Sequence, residues 1–287
     1  MHFATGKMHS LRCFPHCQTP HKAYAALQRN PKAAAMIFLD GKTELNVHMH
    51  GTRACRLAKM ATLGLPVPES VVLSAADVSE IAKTGIVPDV PTSLLGGLLS
   101  LRASPLNPEW GGPTAILNIG ISDSTLPDVG ETAAYLLYRR FIQSYATNVA
   151  GLEAEDFDAD IPDGAERVAH CKASYLFEAD EAFPQDPKAQ LKACILHMAR
   201  AWNRPSAKIL RQAKGAPEDA GFALVIQRMA LGIGRGETGA GAAQTVDDKT
   251  GEARLWGRYL PQSQGQDAII GGREAQPIDT LPDPVQT

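Results

Sequence analysis

Three places in the chain carry groups that could hold an anion. The stretch 108–113 reads PEWGGP, and the N–H groups of Gly111 and Gly112 could face a negatively charged ligand or simply form a tight turn. The stretch 234–243, GRGETGAGAA, is a glycine-rich loop of the kind that cradles phosphates, or an ordinary glycine hairpin. Arg102 ends an apolar stretch that starts at Leu94 and stands directly before the loop at 103–113. A buried chain that ends in a charge presents it to a cleft, although a salt-bridged surface arginine would read the same way. Cys13, His16, Cys17 and His21 are zinc-ligand types close together, but their spacing does not follow the usual C-x₂₋₄-C…H-x₃₋₅-H pattern. They read better as tail residues. His48 and His50 are two apart, and His170 and His197 fall in or near helical stretches. No Ser/His/Asp arrangement and no carboxylate pair suited to acid–base work stands out, so no catalytic residue and no metal ligand is assigned.

The elements that must position these groups can be read from pattern. A chain of 287 residues suits one large domain or two small ones. Hydrophobic residues make up 44% and charged residues 21%, with net charge −3 and both signs spread along the chain. That excludes a nucleic-acid stripe and a polybasic membrane patch. No apolar run approaches the roughly 18–20 residues that cross a bilayer. The first 22 residues lack the apolar core of a secretory signal. The five cysteines are odd in number and mostly far apart, which argues against a disulfide framework and for a cytoplasmic location.

Residues 1–34 read as an extension, partly helical around 23–28, and 35–40 (AMIFLD) as a strand entering a turn. Helices are expected at 52–63, closed by Gly64, and at 75–83, capped by Ser74. Further helices are expected at 132–149, 185–200 and 205–214, with an acidic break at 151–163. From Phe222 the texture becomes strand-like: a continuous apolar run in FALVIQRMALG, then 240–245 and 253–260 around the hairpin signal DDKTGE. Mixed elements followed by a strand-rich end give an α+β fold.

Several stretches, in order, resemble the pyruvate phosphate dikinase family. They are GTRACRLAKMATLGLPVPES (51–70), SLRASPLNPEWGGPTAILNIGISD (100–123), YRRFIQSYATNVAGL (138–152), FPQDPKAQLKACILHMARAWNRPSAKILR (183–211) and GGREAQPIDTL (271–281). The resemblance implies an ATP-grasp-like fold: two subdomains with a helical insertion and a nucleotide cleft between them. The implied division is an extension at 1–34, a first subdomain at 35–221 and a strand-rich second subdomain at 222–287. In that family the β-phosphate of ATP passes to a histidine on a separate domain and then to pyruvate on a third.

The resemblance also implies site residues. The family's helix-starting lysine matches Arg53, which keeps the charge but replaces a compact ammonium with a planar fork. The glycine after it matches Ala54, and Arg102 matches the arginine of the second nucleotide motif. PEWGGP stands where the family has a Ser-Met-Pro-Gly-type run. VIQRMALG matches the strand whose backbone reads adenine, which nominates Gln227, Met229 and Ala230. Thr238, Gly239 and Gly241 match the Ser-Gly-Thr-Gly loop, whereas Val246 replaces a family arginine. The family's Asp-x-Glu…Gln-x-Arg segment has no counterpart before Thr287.

The implied protein is therefore a module for ATP, ADP or AMP, catalytically incomplete alone, in a regulatory or subunit role. Mg²⁺ would rest on phosphates and water or on another chain. Two other readings stay open. One is a phosphotransferase subunit whose partner chain supplies the phosphohistidine and pyruvate domains. The other is an interaction protein in which Arg53, Arg102 and Arg273 sit in salt bridges. Neither nucleic acid nor membrane is an expected partner.

Overall fold

The computed structural model describes residues 36–247, 249–265, 267 and 275–280. The extension at 1–34, with its Cys/His group, lies outside the described residues, as does Arg273. Five antiparallel strands form the first sheet: β1 (Ile37–Phe38), β2 (Ser70–Leu73), β3 (Leu99–Pro105), β4 (Ile116–Ile119) and β5 (Phe222–Arg228). Their order is β1-β2-β5-β3-β4. The last of these five strands in the chain is thus the central one. It pairs Val71 with Ile226 on one side and Leu101 with Ile226 on the other.

The strands are apolar without interruption because both faces of the sheet are covered. Leu73, Leu101, Leu224 and Ile226 contribute to the main core, which the helices α2 (Ala75–Thr84), α3 (Glu131–Tyr145), α4 (Ala165–Ala179) and α5 (Pro187–Ala201) complete. Val72, Ala223 and Val225 face a smaller cluster with Ala54 and Leu57 of α1 (Val47–Thr62). Side chains alternate along a strand. On β3, Leu99 and Leu101 therefore face the main core, and Ser100, Arg102 and Ser104 share the opposite face with α1.

The second sheet is a meander of β6 (Gly239–Val246), β7 (Ala253–Pro261) and the short β8 (Gln276–Pro277). The expected hairpin turn holds, with the Asp247 carboxylate accepting the Lys249 and Thr250 N–H groups. Phe222–Arg228 lies in the middle of the first sheet, and the chain reaches the second sheet at Gly239.

Departures from the expected elements have local causes. The helix expected at 52–63 begins at Val47 but breaks at Gly51, whose φ of 72° is left-handed. β3 runs on into the expected loop as far as Pro105, because Phe222 still pairs with it. Proline, which has no N–H to donate, ends the strand. The helix α4 follows the acidic break and was not anticipated. The helix α6 (Pro205–Ala213) falls within its expected range.

The FPQDP…Q stretch acts as a clasp. The Gln190 amide is fully buried; it donates to Ile121 O and Pro184 O and accepts the Gly120 N–H. Asp186 caps α5 by accepting from Lys188 N and Ala189 N. At α2, Ser74 Oγ accepts the Asp77 N–H at 3.2 Å while Ser74 N–H donates to the Asp77 carboxylate at 3.1 Å. Losing such a reciprocal cap costs about 1 kcal/mol. A Ser74→Ala variant is accordingly expected to lose that much unfolding free energy, read as a lower urea midpoint at an unchanged slope.

Candidate functional site

Gly51 divides α1 and lets its second part start against β3. The Ser104 hydroxyl donates to His50 O at 2.8 Å and accepts the Ala54 N–H at 3.1 Å. The Thr52 hydroxyl donates to Leu106 O. A Cβ on Gly51 would overlap the Ser104 carbonyl, so only glycine permits this approach. The result fixes Arg53 at the edge of the sheet, where its Nε donates to Ala103 O at 3.0 Å.

Arg102 comes to the same place from the strand. Together the two arginines line a cavity of about 170 Å³ with Ala103, Gly111, Gly112 and three prolines. Gly111 adopts a φ of 77° in the turn after the short 3₁₀ segment Pro108–Trp110. Gly112 is packed, because a Cβ there would lie 3.2 Å from Ala103 Cβ and 3.6 Å from the Trp202 ring. Trp202 in turn stacks on Phe222 at 4.5 Å and donates its indole N–H to Ala220 O.

The electrostatics are one-sided. Among the described residues, neither Arg53 nor Arg102 has an ion-pair partner, and the Arg102 Nε is buried without a hydrogen-bond acceptor. Burial pushes the Arg102 guanidinium below its usual range, and burial together with the adjacent Arg102 charge does the same to Arg53. Both nevertheless remain protonated at neutral pH. No lining residue carries a carboxylate. The donor set therefore fits an anion. A Mg²⁺ ion at this cavity would be carried by phosphate oxygens and water. Among the described residues no three His, Cys, Asp or Glu side chains gather as a metal site.

The ten residues singled out from sequence thus divide into groups. Arg53, Arg102, Gly111 and Gly112 meet at the cavity; the other six do not line it. Gln227 sits opposite Ser100 in the β5–β3 ladder, toward the other end of β3, and its carbonyl accepts from the Ser100 hydroxyl. The Met229 N–H donates to Leu98 O, and Ala230 is exposed just beyond it. Gly239 and Gly241 lie in β6, where a Cβ would press on Tyr259 and Arg258 of β7. Those glycines thus have a packing reason as well. The Thr238 hydroxyl is buried and unpartnered.

Sequence reasoning missed Thr52 and Ser104, which hold the site together, and Lys214, whose ammonium would lie 3.8 Å from a Cβ on Gly111. Thr52 and Ser104 fall inside the matched stretches, but their polar pairing across some fifty residues is invisible in one dimension.

Fold and site define an α+β protein with an arginine-lined cavity beside β3. Comparison with known proteins then adds the particular relationship. The chain is 29% identical over 289 residues to a pyruvate, phosphate dikinase of Clostridium symbiosum, spanning 85% of this chain and 33% of the relative. It is 30% identical over 271 residues to that of Rhizobium meliloti (79% and 30%) and 27% over 328 residues to the chloroplastic protein 1 of Arabidopsis thaliana (93% and 34%). No family model matches. The chain spans about a third of the length of these relatives. The resemblance read from the sequence therefore holds over most of the chain. Among the described residues, no helix is long and apolar enough to cross a membrane.

Proposed function

We propose that this chain is a pyruvate phosphate dikinase-like, ATP-grasp-type module that binds an adenine nucleotide, with its phosphates at the Arg53–Arg102 cavity. The observation that carries this reading is a pair of neighbouring guanidinium groups with no counter-charge beside a glycine turn. Two like charges held together call for a ligand of opposite sign. The same observation counts against a salt-bridged, closed interaction surface. The adenine would lie near Ala230. From Leu98 to Arg102 is four residues, roughly 13 Å at the strand rise, a span suited to a nucleotide from base to terminal phosphate. The two sheets serve as the two subdomains.

Titration calorimetry with ATP, with and without Mg²⁺, tests this. Heat of binding saturating at one nucleotide per chain is expected; no binding in either buffer would sink the reading. Binding that ignores Mg²⁺ would fit a regulatory role for the module, and strengthening by Mg²⁺ would favour phosphoryl transfer. That second reading draws on the names of the relatives. It has this chain act with a phosphohistidine and a pyruvate domain, and it predicts phosphate transfer from ATP only when those domains are supplied.

A further inference from the structure

Two cations near the cavity have no part in the fold's ion pairs. Arg211, in the last turn of α6, is only 6% exposed, yet its guanidinium has neither a carboxylate nor a hydrogen-bond acceptor among the described residues. It lies over the Trp202 ring at 3.8 Å from the centroid. The cation–π contact, with no ion pair beside it among the described residues, holds the guanidinium against the ring. Lys214 follows one turn later and caps α6, with its N–H donating to Arg211 O at 3.0 Å. Lys214 is exposed, and its ammonium lies 3.8 Å from where a Cβ on Gly111, a lining residue of the cavity, would stand. The Phe222–Trp202–Arg211 stack therefore packs beside Gly112 of the glycine turn, and the end of α6 brings Lys214 near Gly111.

We propose that Lys214 is a third phosphate-binding residue of this cavity, with Arg211 and Trp202 as the residues that position it. This rests on the nucleotide reading above. The ligand class it adds to is a polyphosphate end, gripped between the arginines of α1 and β3 and the lysine of α6. A flexible lysine beside a glycine turn can follow phosphate oxygens that two fixed forks cannot both reach.

The test uses the full chain, with ATP and inorganic tripolyphosphate as probes. Lys214→Ala is expected to weaken both about fivefold, the scale of one partly exposed charge contact. Lys214→Arg should restore most of that loss, and the difference from wild type should shrink as salt is raised. Arg102→Gln serves as the control for the site itself. Wild-type protein that binds neither probe would remove the nucleotide reading, and this inference with it. Binding that needs Arg102 but is indifferent to Lys214→Ala would overturn the inference alone. A loss that Lys214→Arg does not restore, or that salt leaves unchanged, would do the same, since it would mark Lys214 as merely structural.

Discussion

An Arg102→Leu variant is expected to gain stability while losing about a hundredfold in ATP affinity. The two effects have different origins. In the free protein the Arg102 Nε is buried without an acceptor, and Arg53 adds a like charge alongside. Replacing an unpaired, partly buried charge with an apolar side chain of similar volume is worth about 1 kcal/mol in favour of folding. With phosphate bound, the same guanidinium would make charge-assisted hydrogen bonds worth about 2–3 kcal/mol, which is roughly 30- to 150-fold in affinity. Urea unfolding of the free chain and calorimetry with ATP would read the two quantities separately. A variant that loses stability and binding together would show that Arg102 is a structural group and that the cavity is incidental. Arg102→Lys should fall between, because it keeps the charge and loses the fork.

Gly51→Ala should be among the most destabilising single-methyl additions in the chain, at about 3 kcal/mol or more. With φ 72° and ψ 170° the residue sits in a region essentially open to glycine alone, which costs an alanine about 1–3 kcal/mol. The added Cβ would also overlap the backbone carbonyl of Ser104, which is held in register opposite Ala223 of β5. Neither partner can yield cheaply. Gly64 makes the control: its φ is 74°, but nothing lies within 4 Å of a Cβ there. Gly64→Ala should therefore cost only the conformational part. Thermal unfolding of the two variants separates strain from collision. If they lose equally, the close approach of α1 to β3 is not as described. Gly51→Ala should also weaken ATP binding below its melting temperature, because Gly51 sets where Arg53 begins.

Local chemistry was the most legible part of this protein. The Ser74 cap, the Asp247 turn and the unbroken apolar run of β5 each announce themselves within a few residues. The helix α4 did not, although Val168, Cys171 and Tyr175 carry helical spacing and are buried. Leu176 and Phe177 are exposed at 53% and 83%, which blurs the apolar face that would have given it away. The site was legible only in part for a geometric reason. Arg53, Arg102 and Gly111 could each be named from their surroundings or from resemblance, but what brings them together is the β3 register and the glycine break in α1. Lys214 carries no local mark at all, since its only distinction is the neighbour it acquires on folding.

The place of β5 in the first sheet also shapes how the chain reaches its fold. β2 and β3 do not touch each other; both wait for a strand that begins only at Phe222. Until that segment arrives, two apolar strands stand with open backbone edges, while the helices between them can form from nearby contacts. Joining distant segments is slow because a long loop must close before any pairing is gained. Open apolar edges are also where chains stick to one another. Synthesis and refolding should therefore pass through a helix-rich, sheet-poor species prone to aggregation, with the arrival of Phe222–Arg228 as the step that ends the danger.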